Sequence, residues 1–132
     1  MSKLLDYISN TPDCITGKSV EKTTIESAEK QLQLKFSKEY CEMIEKYGFL
    51  MIDSHEIMGF SKTSRLNVVE NTLSIRKRDA NFPASLYVVE DLGIDKILIL
   101  QSSNGEVYEY VPGSTPKSIF PSLVDYIMSD EE

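Results

Sequence analysis

Few side chains in this sequence have the chemistry that catalysis needs, and those few are widely spaced. His55 is the only histidine, whereas catalytic triads, histidine–cysteine dyads and histidine-based zinc sites need that residue beside defined partners. Cys41 follows Tyr40 in a predicted amphipathic helix, which favours a small buried side chain over a nucleophile. Cys14 falls in a predicted loop with no base near it in sequence. We therefore expect a protein that is not an enzyme and that holds no metal or cofactor.

Paired carboxylates suggest a second kind of chemistry at one turn of the chain. Asp91 and Asp95 flank Gly93, and two carboxylates so placed can contribute to a site for a hard cation. Such a site needs more oxygen ligands at regular spacing than this segment supplies. The glycines are scattered and form neither a phosphate-binding loop nor a dinucleotide fingerprint. A turn that uses these residues for their turn-forming properties is the simpler interpretation.

A segment rich in tyrosine and glutamate favours binding over catalysis. Strand alternation divides it into two faces, with Glu106, Tyr108 and Tyr110 on one and Val107, Glu109 and Val111 on the other. Tyrosine supplies contact area and a carboxylate steers a charged partner, so this strand is a candidate protein-binding surface. A solvated sheet face with half-buried tyrosines explains the same pattern equally well.

Charge is unevenly distributed along the 132-residue chain, whose net charge is −7. Residues 1–89 carry 12 acidic and 12 basic side chains, whereas residues 90–132 carry 9 acidic and 2 basic ones. Such a surface repels nucleic-acid phosphates and attracts basic partners, although a solvated acidic face is the commoner meaning of a charge run. We expect no direct binding to nucleic acid. The longest apolar run is far too short to span a membrane, so we also expect no membrane association.

Residues 86–113 organise the predicted fold, because they contain three runs rich in β-branched and aromatic residues. The runs are Leu86–Glu90, Lys96–Gln101 and Glu106–Val111. The first break falls at Gly93, and the second, Asn104-Gly105, is a strong hairpin signal. Ile97–Leu100 is continuously apolar, as expected of a strand covered on both faces. We therefore predict a sheet here, against which the helices pack.

Apolar spacing and cap residues predict five helices around this sheet. They are a helix at 2–10, one capped at Thr23, one from Ser37 to Tyr47, one capped at Asn67 that ends in Arg76–Arg78, and one around 120–127. Two more strands are expected at Phe49–Ile52 and Glu56–Phe60, where Gly59 suggests a bulge or a close backbone approach. Loops are expected at 12–20 and 114–117.

Together these elements predict a single α+β domain with a central, mostly antiparallel sheet and flanking helices. The domain is expected to span residues 1–132, with an N-terminal helix and loop in 1–20 and the core in 21–128. The two cysteines suggest no disulfide framework and the sequence shows no secretory signal. The expected compartment is therefore the cytoplasm.

Several of these segments together resemble the SUKH superfamily. The first half of the resemblance is carried by Ile25–Glu29, Leu32–Leu34, Phe36–Tyr40, Tyr47-Gly48 and Glu56–Gly59. The second half is carried by Tyr87–Glu90, Asp95–Leu100, Gly105–Tyr108 and the predicted helix around Phe120–Ile127. The motifs are loose, and none of them is catalytic. Ser37 stands where the family often has proline, and Phe49-Leu50 follows Gly48 in place of further glycines.

The resemblance implies an α+β fold and a role in protein–protein interaction without enzyme activity. Members are mostly bacterial immunity proteins that bind and neutralise a cognate polymorphic toxin, commonly a nuclease or another nucleic-acid-directed effector. A yeast relative instead acts as an interaction hub in the regulation of cell-wall synthesis. The resemblance thus leaves two functions open, toxin neutralisation and a regulatory scaffold.

The contact residues are predicted from charge and not from the resemblance. A nuclease presents a basic surface to phosphates, which is complementary to the acid-rich C-terminal third of this chain. The predicted toxin-binding residues are Glu90, Asp91, Asp95, Glu106, Tyr108, Glu109 and Tyr110. The expected partner is a protein toxin with a basic surface. The chain itself is expected to be a monomer or a weak homodimer, since Lys and Glu on the strands protect exposed sheet edges.

Overall fold

This computed structural model describes residues 3–129, which form five α-helices and seven antiparallel strands. The helices are α1 (Lys3–Ser9), α2 (Lys22–Leu32), α3 (Lys38–Tyr47), α4 (Val68–Arg78) and α5 (Leu123–Met128). The strands are β1 (Ile15–Thr16), β2 (Leu50–Ile52), β3 (His55–Ile57), β4 (Tyr87–Asp91), β5 (Leu98–Gln101), β6 (Val107–Tyr110) and β7 (Lys117–Phe120). This arrangement confirms the predicted α+β fold.

The strands form two antiparallel sheets that meet at one joint. Strands β1, β2 and β3 make a three-stranded sheet, and β4 to β7 make a four-stranded one in sequence order. The Met58 amide donates to the Val89 carbonyl oxygen at 2.7 Å, so β4 lies beside the end of β3. The register of β4 shifts between Val88 and Glu90 at this same joint. The predicted central sheet is therefore two sheets, joined where β4 bulges.

Side-chain caps fix the starts of two helices as predicted. Ser37 Oγ accepts a hydrogen bond from the Tyr40 amide at 3.0 Å, and Asn67 Oδ1 accepts one from the Glu70 amide at 3.0 Å. The predicted cap at Thr23 is wrong, because α2 begins one residue earlier and Thr23 already lies in its first turn. None of the helices described here is long and apolar enough to cross a membrane.

An aromatic cluster forms the centre of the core. The rings of Phe36, Tyr40 and Tyr87 are buried, with centroids 4.8 to 5.2 Å apart. Burial raises the pKa of both tyrosines far above the ordinary value of 10.0, so their hydroxyls remain hydrogen-bond donors. Tyr40 donates to the Met58 carbonyl oxygen and Tyr87 donates to Gln101 Oε1. The cluster thus connects α3 to the joint between the sheets.

Two edge strands lie where loops were predicted. Strand β1 falls inside the predicted loop at 12–20, and β7 begins at the end of the predicted link at 114–117. Strand β1 has only 2 residues, too few to show an alternating pattern. Strand β7 takes in Phe120, which was assigned to the last helix, and Pro121 follows it. Short strands bounded by proline are typical sheet edges.

Gly59 allows two backbone segments to touch. A Cβ at this position would overlap the Gly48 carbonyl oxygen, and the Phe60 amide donates to that oxygen at 2.9 Å. The Gly59 amide donates to the Leu66 carbonyl oxygen at 2.9 Å. The close approach predicted at Gly59 is therefore confirmed.

Candidate protein-binding surface

The predicted toxin-binding residues divide among three places in the structure. Glu90 and Tyr110 are buried, Asp91 ends β4 and Asp95 lies in the β4–β5 turn that follows, and the others lie on or beside β6. The strand register places this turn at the Tyr110 end of β6. Glu106 lies at the other end, roughly 13 Å away for four residues of extended strand. The structure therefore does not bring the set together as one continuous acidic surface.

Glu90 lies in the interior, with 4 % of its surface exposed. Its Oε1 is 2.9 Å from His55 Nδ1 and accepts a hydrogen bond from the Tyr126 hydroxyl at 2.6 Å. Its Oε2 accepts a hydrogen bond from the Glu56 amide at 2.8 Å. A buried carboxylate with these partners presents no surface to another protein. Glu90 is therefore removed from the predicted contact set.

The carboxylate of Glu90 instead connects three elements. The Glu56 amide in β3 donates to this carboxylate. In a continuous sheet, a backbone carbonyl oxygen of the neighbouring strand would accept that hydrogen bond. His55, also in β3, and Tyr126, in α5, contact the same carboxylate, and their rings lie 4.7 Å apart. Glu90 thus joins β3, β4 and α5 next to the register shift in the pairing of β4 with β5.

Tyr110 is the second residue removed from the predicted set, because it is 1 % exposed. Its ring packs edge to face on Phe82, with centroids 5.5 Å apart, and its hydroxyl donates to Asp79 Oδ2. Burial, followed by the hydrogen bond to Asp79, raises the pKa of Tyr110. Tyr110 therefore holds β6 against the C-terminal end of α4.

The β4–β5 turn presents two carboxylates and two aliphatic side chains to solvent. Asp91 and Asp95 are exposed, Leu92 is 38 % exposed and Ile94 is 62 % exposed. The Gly93 amide donates to Asp91 Oδ1 at 2.9 Å, so Asp91 shapes the turn as well as charging it. Gly93 has φ +73°, which glycine adopts without steric cost.

Backbone hydrogen bonds close this turn. The Ile97 amide donates to the Ile94 carbonyl oxygen at 3.0 Å, and the Leu92 amide donates to the Ile97 carbonyl oxygen at 3.2 Å. Asp95 and Lys96 both have left-handed backbone angles, with φ +51° and +59°. That conformation costs a residue other than glycine roughly 1–2 kcal/mol. The turn therefore has a defined shape while its side chains point away from the core and remain exposed.

The carboxylate of Glu106, just before β6, has partners within its own sheet. Glu106 is half-buried and accepts hydrogen bonds from the hydroxyls of Tyr108, at 2.9 Å, and Ser118. The Ser118 and Tyr108 hydrogen bonds lower the pKa of Glu106, and the bond to Glu106 raises the pKa of Tyr108. Glu109 is half-buried and lies opposite Lys117 in the strand register. A partner that contacts Glu106 must compete with hydrogen bonds that the sheet already makes.

Sequence reasoning missed Leu92 and Ile94, the two aliphatic side chains of the β4–β5 turn. The available signal was their position on either side of Gly93, since turns usually carry polar residues. The prediction weighted charge and tyrosine content and so passed over them. The structure places both beside the aspartates that the prediction did include.

The other chemically reactive side chains lie in structural contacts. Burial, followed by the nearby Glu29 and Glu45, raises the pKa of Cys41 to about 11, which disfavours a nucleophilic thiolate at neutral pH. Cys14 is half-buried, and its Sγ lies 4.0 Å from the Ile8 carbonyl oxygen. Among the described residues, no group of three or more His, Cys, Asp or Glu side chains is placed to hold a metal ion.

Comparison with known protein families gives a match over nearly the whole chain. The matching family model, SUKH_5, is described as SMI1-KNR4 cell-wall and covers residues 1–130. Comparison with curated proteins gave no match.

Proposed function

The chain belongs to the SMI1-KNR4 (SUKH) family, and we propose that it is an immunity protein that binds and neutralises a cognate protein toxin. Membership supports a role in protein–protein interaction. The same membership confirms the resemblance found in the sequence motifs. The identity of the toxin is part of the proposal and is argued from charge.

The toxin we propose is a nuclease-type effector domain. The observation that carries this choice is that five of the six described acidic side chains beyond position 89 reach the surface. Among the described acidic residues beyond position 89, Glu90 alone is buried. A nuclease carries basic groups that bind phosphates, and a complementary acidic partner associates with it faster through electrostatic steering. The exposed Asp91 and Asp95 are the acidic groups best placed to act in this way.

Neutralisation is proposed to occur by binding alone, without a chemical step. The surroundings of the reactive side chains support this mechanism. His55 contacts the buried Glu90, and Cys41 has a raised thiol pKa. A side chain held in the core for structural reasons is poorly placed to meet a substrate.

A regulatory scaffold is the second candidate, favoured by the reference to the cell wall in the description of the family. Such a protein would bind several partners of its own cell and would protect that cell from no toxin. The same α+β framework serves either role, because fold alone does not determine the partner.

Growth of bacteria that co-express the chain with a candidate toxin separates the two functions. The immunity proposal predicts that a gene beside that of this chain encodes a protein with a variable C-terminal effector domain, and that domain is the candidate. Immunity predicts that cells expressing the effector domain alone stop growing and that co-expression of the chain restores growth. A chain that leaves the effector domain fully toxic, although both proteins are produced, contradicts the immunity proposal and favours the scaffold.

A further inference from the structure

Exposed aliphatic side chains are grouped at one end of the four-stranded sheet. Among the described residues, the large apolar side chains with substantial exposure are Ile15, Leu92, Ile94 and Val111. Leu92 and Ile94 belong to the β4–β5 turn, and Val111 follows β6 at the same end, because Leu98 pairs with both Asp91 and Tyr110. Ile15 lies apart, in β1 of the other sheet. Single exposed aliphatic side chains are normal on a soluble protein, whereas a group of three suggests an interaction site.

We propose that this end of the sheet docks a basic protein that carries an apolar socket. The docking surface, here named the turn patch, consists of Asp91, Leu92, Ile94, Asp95 and Val111. The inference rests on the proposed function, and it identifies the side chains that would anchor the toxin. Leu92 and Ile94 enter the socket, and the two aspartates meet basic groups at its border. An apolar centre within a charged rim is the usual arrangement of a protein–protein interface.

Charge distinguishes a basic protein from the two other possible occupants of the turn patch. In a symmetric dimer of this chain, the same patch would face itself, and Asp91 and Asp95 would approach their own copies. A membrane surface rich in anionic lipids would repel the same two carboxylates. A basic protein surface is attracted by them.

The basic residues near the turn limit the size of the acidic contact. Arg78 and Lys96 line a cleft of about 330 Å³ that Asp91 also borders. Lys96 is exposed beside Asp95 in the turn itself, so the acidic contact is limited to the carboxylates of Asp91 and Asp95. We infer a small interface centred on Leu92 and Ile94, in which the aliphatic anchors carry most of the affinity and the aspartates mainly set the rate of association.

The closed shape of the turn favours docking. Its backbone hydrogen bonds and the bond from the Gly93 amide to Asp91 hold Leu92 and Ile94 in place before a partner arrives. A loop that is already ordered loses less conformational entropy on binding than a flexible one. Nothing in the turn has to fold around the partner.

The test compares two variants of the complete chain in binding to a catalytically inactivated form of the neighbouring-gene effector domain. The variant Leu92→Ser/Ile94→Ser removes the anchors, and Ile15→Ser removes an equally exposed aliphatic side chain, 59 % exposed, outside the patch. The dissociation constant, measured by titration calorimetry, should rise about tenfold or more for the double variant and less than about twofold for Ile15→Ser. Ile15→Ser should keep the wild-type urea midpoint, and the double variant should show at most a small fall, because Leu92 is 38 % exposed and Ile94 is 62 % exposed.

The other possible results of this test contradict either the docking inference alone or the proposed function as well. Binding of the double variant as tight as wild type, or an equal loss in Ile15→Ser, overturns the docking inference and leaves immunity standing. A wild-type chain that forms a dimer in sedimentation, and a double variant that is monomeric, overturns it in favour of a second copy as occupant. A wild-type chain that does not bind the effector domain at all contradicts the proposed function, and the inference fails with it.

Discussion

Glu90 and Asp91 are neighbours in the sequence and have opposite surroundings. Glu90 is buried at the joint between the two sheets, where groups from β3 and α5 contact its carboxylate. Asp91 is exposed at the start of the β4–β5 turn, and its carboxylate accepts a hydrogen bond from the Gly93 amide. In the sequence alone, both residues are simply negative charges. The comparison shows that one acid maintains the framework, while the next remains available to a partner.

Replacing Glu90 should give the largest change in the free energy of unfolding, because Glu90 is the buried acid of the two. Glu90→Ala leaves His55, Tyr126 and the Glu56 amide without their shared acceptor. Loss of one member of such a buried polar cluster costs about 3–5 kcal/mol. Urea unfolding should therefore show a fall of that size in the free energy of unfolding.

The matched control for this prediction is Asp91→Asn. Asparagine keeps the side-chain oxygen that accepts from the Gly93 amide, so the free energy of unfolding should change by less than about 0.5 kcal/mol. Equal changes in Glu90→Ala and Asp91→Asn would contradict the different roles assigned to the two acids.

Glu39 is a second acid that supports the framework, because it connects α3 to the start of α5. Its carboxylate accepts hydrogen bonds from the amides of Leu123, at 2.7 Å, and Val124, at 3.1 Å, and from Gln101 Nε2 at 3.0 Å. Glu39→Gln turns one acceptor into a donor that faces these donors, and should lower the free energy of unfolding by about 1–2 kcal/mol. Urea unfolding of Glu39→Gln beside Glu42→Gln, one turn further along α3, measures the effect. An equally small change in both variants would show that Glu39 does not hold α5.

Replacing the exposed acids of the turn should change the rate of association and leave stability unchanged. Asp91→Asn/Asp95→Asn removes two charges, and asparagine tolerates the left-handed conformation of residue 95. The rate of association with the inactivated effector domain should fall about three- to tenfold at low salt, and its dependence on salt should flatten. Stopped-flow measurements at several ionic strengths provide the test. Glu106→Gln/Glu109→Gln should change the rate less, and the reverse order would move the contact to β6.

The smallest predicted effect concerns pH and Glu106. Hydrogen bonds from Ser118 and Tyr108 hold the pKa of Glu106 below its ordinary value of 4.5. Because folding favours the charged form, this stabilisation is complete above pH 4.5 and is lost as pH falls through the lower folded pKa. Glu106→Gln should therefore reduce the free energy of unfolding slightly at about pH 7 and hardly at all at about pH 2.5. A larger difference at the lower pH would contradict this linkage.

Local sequence signals predicted the elements that depend on local chemistry. The Asn104-Gly105 dipeptide joins β5 to β6, and Ser37 and Asn67 cap their helices through side-chain oxygens. These features depend on residues within a few positions of one another. By contrast, β1 has two residues and exists through pairing with the distant β2, which no short pattern can show. Strand β7 pairs with the preceding β6, but the turn-forming residues 112–116 before it favoured a loop.

The candidate site was harder to predict, because its geometry depends on strand register. The register shift in β4, between Val88 and Glu90, places Glu90 at the joint between the sheets. Tyr110 is buried because Phe82, distant in sequence, packs against it. Asp91 and Asp95 were predicted at a turn and lie there, since the glycine between them marks the turn directly.

Hydrogen exchange of the complete chain, free and bound to the inactivated effector domain, tests the central claim most directly. The claim is that the partner docks on the turn patch while the Glu90 joint only supports it. Binding should slow amide exchange in residues 91–97 and 111–114 and should leave the joint between β3 and β4 unchanged. Slower exchange confined to other elements, with the β4–β5 turn exchanging as in the free chain, would contradict the claim.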